Sequence, residues 1–123
     1  MKYKNKKRCT QDGVFDSGLE LKRWKVLQSM ERAGCITDLK RQTAFMLIPV
    51  QRDRNGKVIE RACSYKADFT YTNAAGELVV EDTKSPATIT PEFIIKRKLM
   101  LYKYNIRVKI ITKENYASEP AAG

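Results

Sequence analysis

Asp68, Asp82 and Lys84 lie on either side of one short turn, and together they have the makings of phosphate chemistry. The stretch reads Tyr65-Lys66-Ala67-Asp68-Phe69-Thr70-Tyr71, turns at Asn73-Ala74-Ala75-Gly76, and resumes as Leu78-Val79-Val80-Glu81-Asp82-Thr83-Lys84. Side chains alternate along a strand, so Asp82 and Lys84 share one face while Glu81 and Thr83 take the other. Folding the hairpin at residues 73–76 brings Asp68 opposite Asp82 or within two residues of it. Two carboxylates so placed repel each other, and a hard divalent cation relieves the repulsion. Mg²⁺ takes oxygen ligands and keeps several waters, and Mn²⁺ can substitute for it. A metal held there lowers the pKa of a bound water, orients it and neutralises charge on a phosphate. The Lys84 ammonium, beside the attacking water or the scissile phosphate, stabilises the negative charge that develops. The chemistry to expect is therefore metal-dependent phosphodiester hydrolysis. Two plainer readings stand beside it. Asp82 and Lys84 can form an ordinary strand ion pair, and Glu81 replaces Asp82 if a bulge shifts the register. Asp68 is harder to explain structurally, because Asp is depleted in strands.

The charge balance points to the substrate class. Lys and Arg number 24 against 14 Asp and Glu, a net charge of +10. That excess favours polyanions: DNA, RNA or an anionic membrane surface. The longest apolar run, Ala44 to Val50, is far shorter than the roughly 20 residues of a membrane span. The basic N-terminus has no apolar segment behind it and does not read as a signal peptide. No membrane partner and a cytoplasmic location are expected. Histidine is absent, which excludes His-based acid–base catalysis and His-ligated zinc. Cys9, Cys35 and Cys63 are odd in number and widely spaced, so neither a CxxC metal motif nor a disulfide framework is expected.

The elements that must position these residues follow from periodicity and capping. The arm of residues 1–12 reads as flexible and basic, with Lys2, Lys4, Lys6, Lys7 and Arg8 placed to track phosphates. A helix is predicted over residues 17–33, opened by Ser17 and Glu20 as an S-x-x-E capping box and stopped by Gly34. Its face runs through Glu20, Trp24, Leu27 and Met30 or Glu31, with Trp24 in the core. Strands are predicted over residues 36–42 and 44–50. A turn at Asp53-Arg54-Asn55-Gly56 follows, with Asn-Gly adopting positive φ at both positions. A long strand spans 58–71, bent near 62–64, and another spans 77–84. Thr90 and Pro91 open a second helix that reaches Tyr104, with Ile94, Ile95, Leu99 and Tyr102 on its buried side. Its Lys96, Lys98 and Lys103 are candidates for nucleic-acid contact, Lys96 for the phosphate itself, although lysines so placed also make an ordinary solvated face. Residues 106–112 form a closing strand that can run parallel to an earlier one, and residues 113–123 read as a disordered tail. The order gives an α/β fold with a central mixed β-sheet flanked by helices, in a single domain over residues 13–112.

An Asp on one strand, a turn, then (D/E)-x-K on the next resembles the signature of PD-(D/E)XK nucleases, here Ala67-Asp68 and Asp82-Thr83-Lys84. The residue before Asp68 is Ala67, where the family's name has Pro. The wider pattern resembles a group of small phage- and prophage-encoded proteins. It comprises Phe15-Asp16-Ser17-Gly18-Leu19-Glu20, Arg41-Gln42, Tyr65-x-Ala67-Asp68-Phe69, Val80-Glu81-Asp82-x-Lys84 and Lys96-x-Lys98, and covers roughly residues 14–112. Those proteins are regarded as nucleases, and several as Holliday-junction resolvases. The resemblance implies a restriction-endonuclease-like core and a DNA endonuclease with Glu20, Asp68, Asp82 and Lys84 as its catalytic set. It places the metal on Glu20, Asp68 and Asp82, although Glu20 can equally serve only its helix cap. Gln42 would be a neighbour of the site. Structure-selective cleavage of branched DNA in phage recombination or replication would require a homodimer, since a four-way junction needs two symmetric cuts. The location would then be the cytoplasm of a bacterial host. The alternative is a non-catalytic DNA- or RNA-binding module. It accounts equally well for the net charge but gives no reason for a carboxylate pair in a basic protein.

Overall fold

Apolar runs of period two, separated by tight Asx turns, build the centre of the molecule. The computed structural model describes residues 8–10 and 12–119. In chain order they form β1 (Arg8–Thr10), β2 (Gly13–Phe15), α1 (Gly18–Arg32), β3 (Thr37–Ile48), β4 (Gln51–Arg52), β5 (Val58–Glu60), β6 (Cys63–Thr72), β7 (Leu78–Thr83), a 3₁₀ turn (Pro86–Thr88), α2 (Pro91–Tyr104) and β8 (Lys109–Ile111). The main sheet has the order β3-β6-β7-β8. Its pairs are antiparallel except β7–β8, which is parallel because α2 carries the chain back across the sheet. The fold is thus α/β with a central mixed sheet. Phe93 and Met100 of α2 pack with Tyr65, Ala67 and Val80 on one face. Leu27 and Trp24 of α1 pack with Ile36, Phe69 and Tyr71 on the other.

One backbone feature decides how the two faces share β6. Ala67 belongs to the α2-side core and Phe69 to the α1-side core, although two residues apart on a regular strand face the same way. The neighbouring β3 pairs Arg41 with Phe69 and Thr43 with Ala67, and Gln42 between them has φ +54°. A left-handed residue in a strand reverses the alternation, so both strands switch faces at Gln42 and Asp68. Asp68 is thereby turned toward β7, where the Thr83 backbone N–H and hydroxyl donate to its Oδ2 at 2.8 and 2.7 Å.

Several expectations need correction. The predicted strands at 36–42 and 44–50 are one continuous β3, because the irregularity at Gln42 kinks the strand without breaking its ladder. The predicted strand 58–71 is two elements. β5 pairs only with β4 in a separate hairpin, and β6 starts at Cys63. In both tight turns only the glycine has positive φ, Gly56 at +85° and Gly76 at +83°. The Asp53 and Asn73 side chains hold these turns by accepting two backbone N–H groups each, which removes any need for a left-handed Asn55.

Helix α2 is rotated from the expected phase. Phe93 and Met100 are buried, while Ile95 is 58% and Tyr102 89% exposed. The reason is volume, since the large Phe93 and Met100 fill the space over the small Ala67 and Val80. β8 is shorter than predicted because Asn105, at φ +57°, caps α2, and Ile106 N–H then bonds back to the Met100 carbonyl. The expected tail is ordered over residues 113–119 as a run of turns. Its Tyr116 and Ser118 carbonyls accept from the Arg23 guanidinium at 2.9 and 2.7 Å. Arg8–Thr10 of the expected arm pair with β2, whose first residue Gly13 has φ +121°. Lys2, Lys4, Lys6 and Lys7, and the side chain of Arg8, lie outside the described residues. Cys35 and Cys63 are free thiols.

Candidate active site

The hairpin β6–β7 pairs Phe69 with Glu81, so Asp68 and Asp82 come next in line where the ladder opens toward its end. The two carboxylates abut. Asp82 is only 4% exposed, and Lys84 Nζ stands 3.3 Å from its Oδ2. Lys84 Nζ also lies 4.3 Å from the centre of the Phe93 ring, so the ammonium is held between an aromatic ring of α2 and the Asp82 carboxylate. Burial, then a hydrogen bond and charge repulsion with Asp68, push the Asp82 carboxyl up to about 8, against the opposing pull of Lys84. The Tyr65 hydroxyl is buried beside Asp82, yet it makes no hydrogen bond of ordinary geometry. Burial and the Asp82 charge hold that hydroxyl above the usual tyrosine range.

Glu20 enters the site from the first turn of α1. Ser17 caps the helix by accepting from Glu20 N–H at 3.1 Å. The return half of the box is displaced by one residue, with Glu20 Oε1 accepting from Asp16 N–H at 3.3 Å. Glu20 Oε2 accepts from Gln42 Nε2 at 3.1 Å and faces Arg41 at 3.5 Å. The Arg41 guanidinium lies 3.7 Å from the centre of the Phe15 ring and donates to the Val14 carbonyl at 2.8 Å. The residues around Glu20 therefore hold it in place. Burial first, and then the Asp68 charge, push its carboxyl up to about 7.

Glu20, Asp68, Asp82 and Lys84 line an open cleft of about 290 Å³, together with Asp16, Thr83 and Ser85. A second cleft of about 370 Å³ shares Asp16, Asp68, Asp82 and Lys84 and continues past Gln42, Tyr65, Phe93 and Lys96. The carboxylate pair thus sits where two troughs meet. The family profile described as "Protein of unknown function (DUF1064)" matches residues 1–118. The chain belongs to this family. No curated protein and no solved structure matches the chain of this DUF1064 member.

The four expected catalytic residues line one cleft, with Asp68 and Asp82 as a pair and Glu20 held by partners of its own. Among the described residues no three Asp, Glu or Cys side chains are gathered into a ready-made metal cluster. The cause is local, because Glu20 is drawn onto Gln42, Arg41 and the Asp16 N–H. Mg²⁺ is ordinarily held by one or two carboxylates with water and phosphate oxygens completing its shell. The all-oxygen pair Asp68 and Asp82 fits such an ion, and Glu20 faces it across the cleft. Glu81, the rival to Asp82, points to the opposite face into Arg23 and Tyr71.

The expected nucleic-acid lysines separate. Lys96 lines the second cleft and pairs with Glu92 at 3.1 Å. Lys98 is exposed beside Arg97 and Arg107, away from the carboxylates. Lys103 donates to the Met46 carbonyl at 2.9 Å, on the far part of β3. Reading the sequence assigned no role to Tyr65, Thr83, Arg41 or Phe93. Thr83 is merely the middle residue of the D-x-K spacing, and its hold on Asp68 depends on the face switch. Among the described residues no helix is long and apolar enough to cross a membrane.

Proposed function

We propose that this chain is a metal-dependent endonuclease of the PD-(D/E)XK type, with a restriction-endonuclease-like core, that hydrolyses DNA phosphodiester bonds. The observation that carries the reading is the Asp68–Asp82 pair with Lys84 at 3.3 Å, opening on a cleft in a chain of net charge +10. A polyanion-binding surface gains nothing from two abutting acids at its centre unless a cation joins them. Both Asp82 and Glu20 hold protons more tightly than ordinary carboxylates do. Asp82 and Glu20 would give up those protons to a divalent cation and regain the charge that burial suppresses.

When bound, Mg²⁺ or Mn²⁺ supplies an acidified water and a counter-charge for the phosphate. Asp68 and Asp82 would hold the ion, with Glu20 facing them across the cleft. Thr83 fixes the Asp68 carboxylate through two donated hydrogen bonds, so the pair is aimed before substrate arrives. Lys84, propped on Phe93, keeps an ammonium beside Asp82, where it neutralises charge on a phosphate oxygen during attack. Lys96, along the second trough, meets the neighbouring phosphate. Cleavage of branched DNA by a homodimer is part of the proposal, since two symmetric cuts need two such sites.

The test is direct. Labelled four-way-junction DNA and matching linear duplex are incubated with the protein and with Asp82→Ala, in Mg²⁺, Mn²⁺ or EDTA. Metal-dependent cleavage that disappears in the variant establishes the activity, and the better substrate defines its selectivity. Tight binding without cleavage in any metal replaces this reading with a non-catalytic binding module.

A further inference from the structure

The hairpin formed by β4 and β5 is a two-stranded sheet of its own, joined to the body only where β3 ends and β6 begins. An isolated two-stranded ribbon is marginally stable in water, so one kept this short and exposed calls for an external partner. Val58 and Ile59 are 43% and 61% exposed and, as neighbours on a strand, face opposite sides of the ribbon. Residues 51–61 carry four cationic side chains, Arg52, Arg54, Lys57 and Arg61, against two anionic ones, Asp53 and Glu60. The Asp53 carboxylate is occupied by the Asn55 and Lys57 N–H groups at 2.8 and 3.0 Å, which stiffens the tip.

We infer that this ribbon is a second nucleic-acid contact, seated on the phosphates of a duplex arm beside the cleaved bond. The inference rests on the nuclease reading for the identity of the polyanion. A two-stranded ribbon is narrow enough to enter or straddle a major groove. Its more exposed apolar residue, Ile59, meets sugar edges while Arg54, Lys57 and Arg61 meet phosphates. A second copy of the same ribbon is a poorer occupant, because two surfaces with the same cationic excess repel.

The position fits a duplex. Cys63, where the ribbon joins β6, is five residues from Asp68 on one continuous strand, a span of about 17 Å. That corresponds to roughly five base pairs of B-DNA. The substrate implied has a duplex arm of at least that length on the ribbon side of the scissile phosphate.

The test uses the full chain in EDTA, so that no cleavage intervenes, with a fluorescein-labelled 30-base-pair duplex and anisotropy measured across a KCl series. A triple variant, Arg54→Ala, Lys57→Ala and Arg61→Ala, removes the ribbon charges. A control triple, Lys25→Ala, Arg32→Ala and Lys113→Ala, removes the same charge elsewhere. Circular dichroism melting checks that both fold.

The ribbon variant is expected to bind roughly 10- to 100-fold more weakly near 0.1 M salt, with its log–log salt slope reduced by about 2.7, while the control is expected to stay near wild type. An unchanged slope in the ribbon variant overturns the inference, as does an equal loss in both triples. Sedimentation that shows a wild-type dimer dissociating in the ribbon variant, with duplex affinity unchanged, assigns the ribbon to a second copy and also overturns it. A wild type that binds duplex through the ribbon in EDTA but cuts no DNA when Mg²⁺ or Mn²⁺ is added defeats the nuclease reading and leaves the ribbon contact standing. A wild type that does not bind DNA defeats both.

Discussion

Glu81 and Asp82 are adjacent on β7, and burial removes both from water, yet their surroundings are opposites. On the α1 side, Glu81 receives the Nε and Nη2 donors of Arg23 at 2.7 Å and the Tyr71 hydroxyl, and Arg23 Nη1 donates to the Tyr116 and Ser118 carbonyls. Every charge there has a partner. On the α2 side, Asp82 faces another carboxylate, a Tyr65 hydroxyl that makes no proper hydrogen bond, and a single lysine at 3.3 Å. A completed polar network is what a fold keeps for its own architecture, since half-satisfied networks are costly. A buried cluster left with like charges and raised carboxyl pKa values is what a site keeps for a ligand. One strand, through its alternation, serves both purposes.

The contrast can be broken at several points. The largest effect on folding is expected from Arg23→Ala, which strands the Glu81 charge and releases the 113–119 segment. Urea unfolding is expected to show a loss of about 3–5 kcal/mol. The matching change on the other side has the opposite sign. Asp82→Asn relieves repulsion, and the metal-free variant is expected to gain stability at pH 8 while losing cleavage. The direction follows from linkage. Asp82 and Glu20 hold protons in the folded state up to about 8 and about 7, whereas ordinary carboxyls lose them near pH 4. The folded chain therefore binds more protons than the unfolded one between those values, and stability falls as pH rises from about 4 to about 8. In Asp82→Asn that fall is expected to shrink, and equal slopes for both proteins would remove the basis of the comparison.

Divalent cation sharpens the same contrast. Mg²⁺ at a hundredfold excess over its dissociation constant is expected to stabilise wild type by about 2.7 kcal/mol in a thermal melt. Asp82→Asn is expected to show little of that gain and Arg23→Ala to keep it. The smallest effect is expected from Thr83→Val, which removes the hydroxyl donor on Asp68 and leaves the backbone donor in place. It is expected to cost about 1.5 kcal/mol, the range of one hydrogen bond to a charged group. Its cleavage rate is expected to fall more than its duplex affinity, because Asp68 loses its aim and the phosphate contacts remain.

Much of this arrangement was legible in one dimension. The D-x-K spacing, the turn at residues 73–76 and the Ser17 cap are local, and each depends on neighbours a few positions away. The choice of Asp82 over Glu81 as the residue facing Asp68 and Lys84 follows from strand alternation alone. The rotation of α2 was not legible. Apolar residues surround that helix, and only the volume over Ala67 and Val80 selects Phe93 and Met100 for burial. Arg23 was equally hidden, since a buried guanidinium looks like any surface arginine until Glu81, 58 positions away, comes to meet it. The hold of Arg41 and Gln42 on Glu20 is of the same kind.

The sequence by itself determined the α/β order, the basic character and the acid-and-lysine hairpin, because capping, turn chemistry and alternation act over short spans of chain. Only the tertiary structure decided that Gln42 takes a left-handed conformation and reverses both strands, that Asp68 turns onto Thr83, and that Glu20 is held by Gln42, Arg41 and the Asp16 N–H. Those outcomes depend on which side chains compete for the same volume and the same donors once distant segments are packed together, and no local spacing records that competition.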